Sequence, residues 1–120
     1  MRHNKKSVRL NRSKAKLKAL KRSLLTSVIL YEDIETTRDK AKFVRGVVDR
    51  IIVRAKKAPT QKDAIRYIKK YVFEKNASVK IMKDLVERFK NRSSGFTRFV
   101  NTRVRKGDGT QMVRFQLLDN

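Results

Sequence analysis

The hydrophobic period of this chain changes once, and that change limits the folds open to it. From Leu17 to Phe89, apolar residues return every three or four positions, the spacing of a helix face. Beyond Phe96 the pattern becomes strand-like. Residues 96–105 and 111–118 are rich in Phe, Val and Thr, and they flank Lys106-Gly107-Asp108-Gly109-Thr110, where both glycines can take a positive φ. Helices followed by a closing hairpin predict an α+β, two-layer α/β domain.

The first helix is expected from Asn11 or Ser13, both competent N-caps, with Leu17, Leu20, Leu24, Val28 and Tyr31 on its apolar side. That seam turns Lys14, Lys18, Lys21 and Arg22 the other way. Residues 33–37, Asp-Ile-Glu-Thr-Thr, alternate β-branched residues with acids and read as a short strand. Thr36 or Thr37 then caps a second helix, with Asp39 near its positive end and Ala41, Val44, Val48, Ile51, Ile52 and Ala55 as its buried stripe. Gly46 within it reads as a close helix-packing contact, and Pro59 ends it. Thr60 caps a third helix with Asp63 in the capping-box position and Ile65, Ile68 and Val72 inward. After Asn76 and Ser78 comes a fourth helix facing inward through Val79, Met82, Leu85, Val86 and Phe89. The polar run Asn91-Arg92-Ser93-Ser94-Gly95 is a loop. A lone hairpin is marginal in water, so the early strand is expected to join it in a small mixed three-stranded sheet packed on the helices. Neither an internal repeat nor a low-complexity linker is present. The expected division is a basic N-terminal extension, residues 1–12, and a single α/β domain, residues 13–120.

Charge then points to a partner. Lys and Arg number 33 against 11 Asp and Glu, a net charge of +22, which calls for a polyanion. The excess is uneven: the first acid is Glu32, and before it stand Arg2, Lys5, Lys6, Arg9, Arg12, Lys14, Lys16, Lys18, Lys21 and Arg22. Every such cation brought to a phosphate releases condensed counterions, so binding should be strong and salt-sensitive. With hydrophobic residues at 39% the chain can still bury a core, which separates it from a wholly disordered polycation.

Several chemistries lose their support. There is no Cys, so disulfides and thiolate zinc sites are excluded. The single His, His3, lies in the basic arm, and no paired carboxylates suggest acid-base catalysis. Glu32, Asp33 and Glu35 form an acidic cluster that reads as internal charge compensation rather than a metal site. The four glycines form no phosphate loop. The longest nearly apolar stretch, residues 24–31, is far short of the roughly 20 residues needed to span a bilayer. Residues 1–22 resemble an export or transit signal only superficially, since no A-x-A-like cleavage site follows. No enzyme activity, cofactor, membrane or small-molecule substrate is expected.

A second contact region is expected at residues 91–99, where Arg92 and Arg98 flank the small residues Ser93, Ser94 and Gly95, letting backbone N–H groups approach phosphate or sugar. Phe96 and Phe99 can stack on splayed bases or sit in the core, and a Phe entering a strand favours the core. Arg103, Arg105, Lys106 and Arg114 add charge on the hairpin, so arm, loop and hairpin together would give a two-sided grip on a polyanion, which charge alone does not identify as RNA, DNA or anionic lipid.

The start Met1-Arg2-His3, the Leu10-Asn11-Arg12 run, Thr36-Thr37 followed by Lys40-Ala41-Lys42, Gly95-Phe96-Thr97-Arg98 and Arg105-Lys106-Gly107-Asp108 together resemble the bacterial large-subunit ribosomal protein L17 family, from the first residue to Leu118. The resemblance implies a non-enzymatic cytoplasmic protein that binds large-subunit ribosomal RNA on the outer side of the subunit, near the polypeptide exit, beside neighbouring large-subunit proteins. It implies RNA contact at Arg2, His3, Asn11, Arg12, Gly95, Thr97 and Arg98. The chain departs from the family pattern at Lys16-Leu17, where a His-Arg pair is usual, at Ser94-Gly95-Phe96, where Gly-Gly-Tyr is usual, and at Asp39, often Pro. The alternative is a nucleoid-type DNA-binding protein, for which a recognition helix displaying Arg, Asn or Gln would be expected, and none stands out.

Overall fold

A computed structural model describes residues 3–4 and 10–119. The elements follow in the order α1 (Lys14–Tyr31), β1 (Asp33–Thr37), α2 (Arg38–Lys57), α3 (Gln61–Lys69) and α4 (Lys75–Lys80). A π-helical turn, Ile81–Leu85, then leads through α5 (Val86–Arg88) to the hairpin strands β2 (Thr97–Val104) and β3 (Gln111–Leu117). The α+β class and the element order are as the sequence predicts.

The sheet runs β1-β3-β2, with β3 antiparallel to both neighbours. It is therefore antiparallel throughout and not mixed. A mixed sheet would need one parallel pair, but β3, the strand with an apolar inner row of Val113, Phe115 and Leu117, takes the centre and runs opposite to both neighbours. There Ile34 pairs with Phe115 and Thr36 with Val113, while Thr97 and Phe99 of β2 meet Leu117 and Phe115. The other face is polar: Asp33 binds Arg114 and Gln116, Gln116 binds Arg98, and Glu35 binds Arg103. Both α1 and α2 cover the apolar face, giving two layers.

Local chemistry sets the helix limits. Ala58, held extended before Pro59, stops α2. Thr60 accepts the Asp63 N–H at 3.2 Å and its hydroxyl donates to the Asp63 carboxylate at 2.8 Å, starting α3. The α2 stripe is buried as predicted, with Val47 added. Gly46 is not a packing contact: it is exposed, and a Cβ there would meet nothing within 4 Å.

Two apolar faces sit differently from the sequence reading. On α1 the fully buried residues are Leu25, Val28 and Ile29, while Tyr31 is 71% exposed. In the fourth helical segment Ala77, Ile81, Leu85 and Phe89 face inward, and Val79 is out. A spacing of four drifts by about 40° per step on a regular α-helix, and the wider π turn restores the phase. The connector before α4 is tied to α1 by Thr26, whose hydroxyl donates to the Arg22 carbonyl at 2.8 Å and accepts the Phe73 N–H at 3.5 Å.

Candidate nucleic-acid interface

Of the arm, Arg2, Lys5, Lys6 and Arg9 lie outside the described residues. His3, Asn11, Arg12, Lys14, Lys16 and Lys18 are exposed. Leu10 and Asn11 both take positive φ, 49° and 53°, making a left-handed turn into α1. Lys21 and Arg22 do not point away from the apolar seam. The Lys21 ammonium sits 5.3 Å from the centre of the Phe43 ring, and the Arg22 guanidinium 4.0 Å from that of Phe73, so both stems lie along apolar surface. Together with Lys14, Lys18, Lys70 and Tyr71 they line a groove of about 540 Å³.

The 91–96 loop is anchored from below. Lys56 donates to the Arg92 carbonyl at 2.5 Å, the Arg92 guanidinium to the Gly95 carbonyl at 3.3 Å, and the Phe96 N–H to Asp49 at 3.3 Å. Gly95 has φ +67°, a conformation that side chains other than glycine rarely adopt. Ser93 and Ser94 are exposed at its tip, and Arg98 is exposed on β2. Phe96 is fully buried with its ring 4.9 Å from Phe89, and half-buried Phe99 lies 5.2 Å from Phe115, so both rings pack on protein. Thr97 is turned inward as well: it is 5% exposed, because the alternation that puts Arg98 outside puts its neighbour on the core face. Its side chain is therefore not at the surface expected of an RNA contact.

The two basic regions do not share one end of the molecule. The first groove opens beside the start of α1, whereas Arg92 and Arg98 line a groove of about 510 Å³ with Glu32 and Asp33, just past the end of that helix. Along α1 the first groove reaches Arg22 and the second begins at Glu32, ten residues on, about 15 Å at 1.5 Å each.

The carboxylates are paired to cations of the fold. Glu32 receives the two Arg88 guanidinium nitrogens at 2.8 and 2.9 Å and Lys80 at 2.6 Å. Arg88 above all, with Lys80, holds its pKa down to about 2, against an opposing push from burial. Asp33 is held below its usual range by Gln116 and Arg114. On the hairpin, Asp108 binds Arg105 at 2.5 Å and its pKa is lowered by that contact and by Thr110, and both Arg105 and Lys106 are exposed. Among the described residues no cluster of three or more His, Cys, Asp or Glu could hold a metal, and no helix is long and apolar enough to cross a membrane.

One basic surface escaped the sequence reading. Arg50, Arg54 and Lys57 of α2 and Arg66 of α3 line, with Lys70, a groove of about 810 Å³ between the two helices. Its signal in the sequence was the helical spacing of Arg50, Arg54 and Lys57 opposite the apolar stripe.

A protein-family model described as Ribosomal protein L17 matches residues 20–118. The chain belongs to the ribosomal protein L17 family. It is 40% identical to the large ribosomal subunit protein bL17 of Petrotoga mobilis, over 98% of this chain and 97% of that relative. The corresponding protein of Gemmatimonas aurantiaca is 38% identical, and that of Campylobacter concisus 35%, each over 98% of both chains. The family model starts inside α1, while the similarity to these L17 relatives covers nearly the whole chain. L17 proteins are structural components rather than enzymes, in keeping with a site made of cations and small residues.

Proposed function

We propose that this chain is a structural constituent of the bacterial large ribosomal subunit. It is held by large-subunit ribosomal RNA on the outer side of the subunit near the polypeptide exit, beside neighbouring large-subunit proteins and within the cytoplasm. Family membership across residues 20–118 carries this reading. The division of labour follows the charge. The extension, residues 1–12, enters the RNA with Arg2, His3, Lys5, Lys6, Arg9, Asn11 and Arg12, where phosphates neutralise its charge. Residues 13–120 form the domain, whose Lys14, Lys16, Lys18, Lys21 and Arg22 continue that contact along α1. Past the C-terminal end of α1, Arg92, Ser93, Ser94, Gly95 and Arg98 form the second contact, with Arg105 and Lys106 at the hairpin end. A rigid body with contacts at both ends of α1 acts as a wedge between RNA segments and recognises shape and phosphate rather than base sequence. Its role requires neither a cofactor nor a small-molecule substrate. The test is sedimentation of a native lysate on a sucrose gradient with detection by mass spectrometry. Stoichiometric migration with the large subunit, surviving moderate salt, is expected; recovery with DNA or in the unbound fraction would sink the proposal.

A further inference from the structure

We infer that the groove between α2 and α3 is a second seat for the sugar–phosphate backbone of ribosomal RNA, continuing the path that the arm and α1 begin. The inference rests on the ribosomal reading above and extends the contact to a face outside the arm and the 91–98 loop.

Three observations carry it. First, the groove is built from five exposed cations, Arg50, Arg54, Lys57, Arg66 and Lys70, none of which makes an ion pair among the described residues. The two acids on its walls are engaged in the fold: Asp49 accepts the Phe96 N–H, and Asp63 caps α3 with Thr60. On the sheet side of the same molecule Glu32, Asp33, Glu35 and Asp108 all hold Lys or Arg partners. The groove therefore carries five cations against two acids, neither of which is ion-paired to a groove cation, and keeps a net positive charge.

Second, this groove joins the one beside α1. Lys70 lines both, and Tyr67 in one meets Tyr71 in the other, their ring centres 5.3 Å apart. A backbone lying along Lys14, Lys18 and Lys21 therefore passes Lys70 into the α2–α3 groove. Third, the Arg54 guanidinium lies over the Tyr67 ring, 5.1 Å from its centre, a contact that restrains this exposed cation at the groove. Phosphate oxygens suit such a row of cations.

The test compares salt dependence and footprint on large-subunit rRNA transcribed in vitro. Three proteins are used, all full length: wild type, the triple variant Arg50→Gln/Arg54→Gln/Arg66→Gln, and the control Lys69→Gln/Lys75→Gln/Lys83→Gln, which removes the same charge from the α3–α4 side. Thermal melts first establish that each is folded. Each phosphate contact contributes about 0.7–0.9 to the slope of log K against log salt, so the groove variant is expected to lose about 2 to 3 in slope and to give a shorter hydroxyl-radical footprint. The control should keep both. An unchanged slope and footprint in the groove variant, or an equal loss in the control, would overturn the inference while leaving ribosomal RNA binding intact. A wild-type protein that does not bind this RNA would instead remove the ribosomal reading itself, and this inference with it. A groove variant that keeps slope and footprint but fails to enter assembled subunits would assign the groove to an acidic protein partner and overturn the RNA assignment.

Discussion

Replacing Glu32 by Gln tests the joint that closes α1 onto the fourth helical segment. The Glu32 side chain is 28% exposed and lies between Lys80 at 2.6 Å and Arg88 at 2.8 Å. Its carboxyl drops from an ordinary value of 4.5 to about 2, chiefly through the Arg88 hydrogen bonds and then Lys80, with burial opposing. At about 1.4 kcal/mol per unit such a shift corresponds to about 3 kcal/mol, and solvent reaching the partly exposed site brings the expected effect to about 1–2 kcal/mol. Because the folded-state pKa lies below the unfolded one, this stabilisation is fully present above pH 4.5 and fades as pH falls toward 2. The variant keeps the left-handed backbone of residue 32, φ 61°, so that contribution cancels in the comparison. Urea unfolding at constant ionic strength should therefore find Glu32→Gln weaker by about 1–2 kcal/mol at pH 7, with the two proteins converging toward pH 2. A difference equal at pH 7 and pH 2 would refute the charge argument and trace the loss to side-chain shape.

Gly46→Ala should raise stability by about 0.5–1 kcal/mol, because the position is helical, exposed and open to a Cβ; a lower melting temperature would contradict that reading. Phe96→Ala removes a fully buried ring packed 4.9 Å from Phe89 and should destabilise by about 3–5 kcal/mol in denaturant titration, with a loss under about 1 kcal/mol placing the ring outside the core. Replacing Arg9 and Arg12 together by Ala should flatten the salt slope of rRNA binding by up to about 2 with the thermal melt unchanged; a slope equal to wild type would remove the arm from the interface.

The fold was legible wherever one local signal dominated. Pro59 and Thr60 mark the α2–α3 boundary through backbone constraint and capping, and Gly107 and Gly109 mark the hairpin turn with φ of +102° and +66°. The α2 stripe was legible because a long helix packed along its whole length has a clear period. The α1 seam was misplaced for the opposite reason. Leu17, Leu20 and Leu24 share a face with Val28, but only the C-terminal half of α1 meets the sheet, and there Leu25 and Ile29 define the contact. A π turn is invisible to a 3.6-residue template, so Val79 was taken as core while Ala77 was passed over. Sheet order escaped as well: β1 pairs with β3 through a register that depends on residues about 80 positions apart, beyond any local pattern. For the interface, charge density made the arm conspicuous. It drew attention away from Arg50, Arg54 and Arg66, which are scattered in sequence and become one surface only when α3 folds back on α2.

A protein at +22 still has to place eleven acids, and their placement explains how so basic a chain can present a directed charge. Glu32 locks the end of α1 to Arg88, Asp33 and Glu35 tie β1 to Arg114 on β3 and Arg103 on β2, and Asp108 closes the hairpin turn with Arg105. Asp49 pins the start of β2 and Asp63 caps α3. These acids serve structural joints, and three of them, Asp33, Glu35 and Asp108, pair with cations of the sheet and hairpin. On α2 and α3, by contrast, Arg50, Arg54, Lys57, Arg66 and Lys70 make no ion pair among the described residues, so the helical side holds a concentration of cations that the fold does not use. In the proposed RNA contact, such a field steers a polyanion before contact. A mutation that breaks one of the sheet pairs without unfolding the domain would then weaken the difference between the two faces as well as the fold.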